Sequence, residues 1–278
     1  MSQTKIKKAI IPVAGYGSRL FPATITTSKT LFPIGNKPIL HYILEECMFA
    51  EIKELIFIIS PDQMDVMNYL TLTKTNKLLK KFPNSKELLE HKNLIKYFTK
   101  ISFVIQQKPN GLGDAVLLGS PYIDYDEAFA VILGDNPIVE NTMLGISELI
   151  KYWTKDEFSN VIGIKQVPLE DTHKYGIVEF DATEENWVSS VEEKPNTPKS
   201  NKAIIGRYIF QYNIFKYLRD VKKSYKEEGI KKELDLTGAI NLACFTDLNV
   251  YGIELRGVVE DTGNVKGYNA AIIKYLTK

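Results

Sequence analysis

The hydrophobic positions of this chain follow two patterns that alternate along its first half. The run AIIPVA, Ala9 to Ala14, has no polar alternation. A strand covered on both faces reads that way, which predicts a parallel strand beneath helices. ELIFIIS (closed by Pro61), KISFVIQQ and FAVILGDN (ending at Gly134) are read as three further strands. Between them the period lengthens. In KPILHYILEECMFAEI, Leu40, Ile43, Leu44 and Cys47 fall on one side of a helix, and Pro38 suits its first turn. LGDAVLLGSPYI reads as a helix entered from a glycine-rich turn. The order β-α-β-α-β-α-β predicts a doubly wound α/β sheet. Ligands of such sheets gather beyond the carboxyl ends of the strands. That directs attention to Gly15–Lys29, Gln106–Asp114 and Asp135–Asn136.

Residues 62–100 change character. NKLLKKF and KELLEHKNLIKYF alternate Leu pairs with lysines, which predicts two or three amphipathic helices as an excursion off the sheet. The second half is mixed. NVIGIKQV, YGIVEF, WVSSVEEKP and KAIIGRYIFQ read as strands, and IFKYLRDVKKSYKEEG and DLTGAINLACF as helices. NVYGIELRGVVEDTG reads as strand pairs and VKGYNAAIIKYLTK as a closing helix. No repeat, low-complexity tract or linker interrupts the chain. The expectation is one domain over 1–278, with the helical excursion at about 62–100.

Composition narrows the class without choosing it. A chain of 278 residues, 44% hydrophobic, can bury a sizeable core. A net charge of +1 gives no global basic field for nucleic acid or a membrane surface. The apolar runs are strand-sized, too short for a spanning helix, and the N-terminus lacks the long apolar run of a signal peptide. Cys47 and Cys244 are too few and too far apart for a disulfide framework or a cysteine zinc site, so a reducing cytoplasm is expected.

The first glycine turn carries the chemistry. Gly15 and Gly17 follow the first strand, then Arg19 and Lys29. Such a turn binds phosphate through backbone N–H groups. A dinucleotide fingerprint needs a third glycine, and Ser18, Arg19 and Leu20 supply none. A P-loop needs G-K-[ST], which is absent. A loop with its own cations can grip a triphosphate without either motif, Arg as a rigid fork and Lys as a point charge. On these residues alone, a tight turn with solvated cations is an equal reading.

The whole stretch AGYGSRLFPAT…SKTLFPIGNKPIL resembles the opening signature of sugar-1-phosphate nucleotidyltransferases, G-x-G-x-R-[LF]-x-P-x-T followed by [PST]-K-x-[LM]-x-P and K-P-[LI]. The resemblance implies a Rossmann-like α/β fold: a mixed, mostly parallel sheet flanked by helices, with a sugar-binding half at about 160–262. It implies that Ala14, Gly15, Gly17, Arg19 and Lys29 bind the nucleotide, with Arg19 and Lys29 acting on the departing pyrophosphate. QQKPNGLGDAV resembles the base-recognition segment, making Gln106 and Gly111 the readers of a pyrimidine. Asp135 in LGDN and Asp261 in VVEDTG match the two metal-ligand motifs, for Mg2+. KYGIVEF and VEEKPN match the sugar side, with Gly176, Glu193 and Lys194 on the sugar phosphate and Glu233 on the sugar ring. Lys194 joins Arg19 and Lys29 as a catalytic residue.

Within the family, SNKAIIGRYIFQYNIFKYL and KKELDLTGAI resemble the type that makes UDP-glucose from UTP and glucose 1-phosphate. In the latter, Asp235 stands for a family Gln, Gly238 for an Asp, and Lys231 and Lys232 for two glycines. The resemblance implies in-line attack without a covalent intermediate, and a homodimer or homotetramer. A thymidylyltransferase using dTTP is the near alternative, favoured by the LGDN spelling. A non-catalytic nucleotide-sugar sensor is the distant one. His41, His91 and His173 lie in no matching motif.

Overall fold

A computed structural model describes residues 6–139, 143–154, 159–246 and 249–277. Strand β1 (Lys8–Pro12) lies in the middle of the sheet. On one side it pairs in parallel with β2 (Glu54–Ile59), and β2 with β3 (Lys100–Ile105). On the other it pairs in parallel with β4 (Phe129–Ile132). The chain therefore reverses its winding between β1 and β4, and a crevice opens at their carboxyl ends.

Beyond β4 the sheet turns mixed. With β5 (Asn160–Gln166), β6 (Gly176–Phe180), β7 (Val188–Glu193), β8 (Lys202–Phe210) and β9 (Val250–Glu254) it has nine strands among the described residues, and its main path runs β3-β2-β1-β4-β8-β5-β9. The long β8 runs antiparallel to β4 and β5, while β9 is parallel to β5. The hairpin β6–β7 hangs from the start of β8. This is the mixed, mostly parallel sheet that the family resemblance implies.

Helices cover both faces. Ala9 and Ile11 of β1 enter one core with α1 (Ile39–Phe49), α2 (Met64–Leu70), α4 (Lys86–Tyr97) and α6 (Ile146–Trp153). Ile10 enters the other with α5 (Leu112–Leu118), α7 (Ile214–Glu227) and α8 (Leu236–Cys244). That is why β1 shows no polar alternation. Together α2, α3 (Leu72–Leu79) and α4 form the predicted excursion, and α4 lays Leu94 and Ile95 against the first core. Helix α9 (Val265–Leu276) closes the described chain. No helix among the described residues is long and apolar enough to cross a membrane.

One strand expectation fails. Of NVYGIELRGVVEDTG, only Val250–Glu254 is a strand, with an isolated bridge from Val259 to Ile138. The backbone amides of Arg256 and Gly257 donate to the Glu148 carboxylate instead of a ladder. This frees the following residues to form a loop that reaches the crevice.

Candidate active site

The chain leaves β1 through Ala14 and enters a loop that doubles back on itself. Gly17 has φ 66°, in the left-handed region, and a Cβ there would meet Thr24 Cγ2 at 2.9 Å. The Thr24 hydroxyl donates to the Gly17 carbonyl at 3.0 Å. Ser28 is held by Asp65, through its amide at 2.6 Å and its hydroxyl at 2.7 Å. Lys29 is thereby brought beside Gly15, where a Cβ would lie 3.6 Å from its Nζ. The two cations foreseen at the first strand end thus face the crevice.

Across the crevice stands Asp135, just beyond β4. Its carboxylate forms an ion pair with Lys29 Nζ. Burial pushes the Asp135 carboxyl up, but the Lys29 ammonium, helped by Arg19, more than reverses this and holds it below the ordinary carboxylate range. The loop after β9 delivers Asp261. Thr262 fastens the two loops together: its amide and hydroxyl both donate to the Asp135 carbonyl, at 3.2 and 2.6 Å. A Cβ on Gly263 would lie 2.8 Å from Arg19 Nη2, 3.1 Å from Asp261 Oδ1 and 3.3 Å from Asp135 Oδ2. Two carboxylates and a guanidinium therefore converge on one point, which only glycine leaves open.

Those carboxylates fit the expected metal. No group of three or more His, Cys, Asp or Glu able to hold an ion exists among the described residues. Two carboxylates suit Mg2+, which keeps water and substrate phosphates as its other ligands. A closed transition-metal cage would need more.

A buried ion pair backs this arrangement. Arg207 on β8 and Glu46 on α1 are both 0% exposed. Arg207 Nε donates to Glu46 Oε1 at 2.8 Å and Nη2 to Oε2 at 2.7 Å. Nη2 also donates to the Asn136 carbonyl at 2.6 Å, one residue from Asp135. Glu46 Oε1 accepts the Ile146 amide at 2.9 Å. The GRYIF segment identified as family-like thus secures the loop that carries Asp135.

Next to the crevice lies a cavity of about 540 Å³, lined by Gly111, Glu193, Lys194, Glu233 and Thr237 among others. It joins the base-side and sugar-side segments. Gly111 has φ 101°, and a Cβ there would strike the Leu234 carbonyl at 2.4 Å. Glu193 accepts from the Thr237 hydroxyl at 2.7 Å, and a Cβ on Gly176 would stand 3.4 Å from the same carboxylate. Lys194 holds φ 49°, a conformation uncommon outside glycine, and 59% of its side chain is exposed beside Glu193. Its ammonium pairs with Glu193 Oε1 at 3.2 Å. Gln106, at the end of β3, is buried and bonded to Gly111 and Asp114.

The departures from the family pattern form a local set. Asp235 caps α8 by accepting the Gly238 amide at 2.6 Å, and Lys232 pairs with it at 2.7 Å. Glu233 stays exposed beside them. Glu46, Arg207, Thr237 and Thr262 went unnoticed in the sequence as site residues, and Asp114 stood out only as the end of a stretch. A larger cavity, about 750 Å³, lies under the excursion with His41 and His91, and contains none of the expected site residues.

Fold and site define an α/β protein whose crevice brings cations and two carboxylates together for phosphorylated ligands. The Nucleotidyl transferase family profile matches residues 8–278, and the chain belongs to that family. It is 34% identical to the UTP–glucose-1-phosphate uridylyltransferase of Staphylococcus epidermidis, over 99% of this chain and 93% of that one. It is equally identical to that of Bacillus subtilis, over 98% and 91%. Among solved structures, UDP-glucose pyrophosphorylase complexed with UDP-glucose superposes with a TM-score of 0.83 at 29% identity, covering 98% of this chain and 99% of that chain. A UTP-bound enzyme of the same kind from Acinetobacter baumannii gives 0.82 at 26%, covering 97% and 93%.

Proposed function

We propose that this protein transfers a uridylyl group from UTP to glucose 1-phosphate, giving UDP-glucose and pyrophosphate. The observation that carries the reading is the convergence of Arg19, Asp135 and Asp261 on Gly263, with Lys29 paired to Asp135, at the switch point of the sheet. The near-full-length likeness to UTP–glucose-1-phosphate uridylyltransferases supports the choice of substrates.

In the reaction, a phosphate oxygen of glucose 1-phosphate bonds to the α-phosphorus as the bond to pyrophosphate breaks, in line. A phosphate monoester with a second pKa near ~6 is already mostly a dianion at neutral pH, so no general base is required. Arg19 and Lys29 hold the triphosphate and stabilise the charge gathering on pyrophosphate. Lys194, extended from its left-handed backbone, takes the sugar phosphate. Glu193, held by Thr237, and Glu233 receive sugar hydroxyls, and the Gly176 backbone admits the ring closely. Gln106 and Gly111 read the base. Asp135 and Asp261 would hold a Mg2+ ion, which would supply charge neutralisation to the phosphates. The task of the chain is to position two polyanions and stabilise their charge. The family resemblance adds a homodimer or homotetramer to this reading, and the two widely separated cysteines a cytoplasmic setting.

The test supplies UTP, dTTP, CTP, GTP or ATP separately with Mg2+ and glucose 1-phosphate, and measures pyrophosphate release. UTP should be turned over fastest. Equal or faster turnover of dTTP would move the protein to the thymidylyl branch, which the LGDN spelling favours. Silence with every nucleotide would point first to a different sugar phosphate, given the departures at Asp235 and Gly238, and then to the sensor reading.

A further inference from the structure

We propose that Asp114 is a positioning residue that locks the Gln106 amide in one orientation, so that the nucleotide site offers the base an acceptor and rejects cytosine. This rests on the uridylyltransferase reading above. Gln106 Nε2 lies 2.9 Å from Asp114 Oδ2 and 3.3 Å from the Gly111 carbonyl. A carboxylate and a carbonyl only accept hydrogen bonds. Both hydrogens of the amide nitrogen are therefore spoken for, and Oε1 is turned the other way. Rotating the amide by half a turn would set Oε1 against two oxygens and strand the NH2 group in a buried place.

Asp114 is itself held. It is 5% exposed, and its second oxygen accepts from Lys222 Nζ on α7 at 2.7 Å. The adjoining Gly113 amide donates to the Leu234 carbonyl at 2.8 Å, so the first turn of α5 cannot drift from the cavity wall. An acid at a helix start has a favourable place on dipole grounds alone. That role does not require one oxygen on Gln106 and the other on Lys222.

The consequence follows from the bases. Uracil and thymine carry a proton on N3, which a fixed Oε1 accepts. Cytosine has a bare N3, and its lone pair would face Oε1 unpaired. A flippable glutamine would serve both. A locked one separates them, and a site that leaves a buried polar group unpaired against the wrong ligand discriminates strongly.

The experiment compares kcat/KM for UTP and CTP in the full chain and in Asp114→Asn. The Asn amide can donate to Oε1 and so permits the flipped orientation. The UTP/CTP ratio should fall by about tenfold, the scale of one hydrogen bond. The fall should come chiefly through a higher KM for UTP, with KM for glucose 1-phosphate and Tm near wild type. Lys222→Gln, a change on an exposed side chain, should move the ratio the same way by less. An unchanged ratio in Asp114→Asn, or a loss shared equally by both nucleotides and the sugar phosphate, overturns the proposal. If Asp114→Asn does not fold, an unchanged ratio in Lys222→Gln does so. If the wild type shows no preference for UTP over CTP, the uridylyl reading itself fails. If the preference is present and survives Asp114→Asn, only the role of Asp114 does.

Discussion

Replacing Glu46 by Gln tests how far the loop that carries Asp135 depends on a charge it never touches. The substitution preserves shape but leaves the Arg207 guanidinium buried without its counter-charge. Both side chains are fully buried, and the pair is bidentate. Breaking such a pair costs about 3–5 kcal/mol, mostly as the penalty on the abandoned charge. At about 2–4 °C per kcal/mol for a large domain, Tm should fall by about 10 °C. Activity should fall as well, because Arg207 Nη2 also donates to the Asn136 carbonyl beside Asp135. A displacement of the Asp135 carboxylate by a fraction of an ångström would, on the proposed reading, lower kcat by about tenfold or more. Calorimetry gives the first number and steady-state pyrophosphate release the second. A double replacement, Glu46→Leu with Arg207→Met, removes both charges and should regain at least about half of the lost stability. It should not regain kcat, since the Asn136 carbonyl still lacks its donor. A Tm shift under about 3 °C in Glu46→Gln, with a double variant no more stable than either single one, would refute this account.

Three further outcomes are expected. Lys194→Ala should raise KM for glucose 1-phosphate far more than for UTP, since its exposed ammonium lines the sugar-side cavity beside Glu193; equal shifts would remove it from that role. Asp261→Asn should raise the Mg2+ concentration for half-maximal activity at least about tenfold, read by metal titration, with little effect on Tm. The Lys29–Asp135 pair should give stability an acid limb. Because the folded Asp135 value is lowered, its contribution is complete above the ordinary carboxylate pKa of about 4 and is lost as pH falls through the lowered value. The stability gap between wild type and Lys29→Met, measured by calorimetry from pH 7 to pH 3, should therefore narrow toward acid.

What could be read from the sequence was what local spacing encodes. β1 is continuous in its apolar character because Ile10 and Ile11 enter opposite cores, and its glycines and cations follow within one loop. Asp135 stands at a strand end, where an α/β sheet presents its ligand groups. Asp261 was found only through a family-like motif, since nothing local marks it out. The misread strand after Glu254 shows the limit of alternation as a signal. Its apolar residues alternate well enough, but Glu148, more than 100 positions earlier, captures the backbone amides that a strand would have used.

The same limit explains the missing residues of the site. A lone Glu on a helix reads as a solvated side chain, and Glu46 becomes meaningful only when Arg207, 161 positions away, arrives beside it on β8. Thr237 is one polar residue among apolar neighbours until it bonds to Glu193, 44 positions away. The departures at Lys232, Asp235 and Gly238 invert the point. Read singly, each looks like damage to the sugar side. In the fold, Lys232 neutralises Asp235, Asp235 caps α8, and Gly238 leaves room for that cap, because a Cβ there would stand 3.0 Å from Asp235 Oδ1. A carboxylate already committed to a helix start and a lysine has little left to offer a sugar hydroxyl. On the proposed reading, the recognition of the sugar therefore falls to Glu193, Lys194 and Glu233, which line the cavity wall, and the family-like residues on that wall keep their chemistry while the helix start beneath it changes.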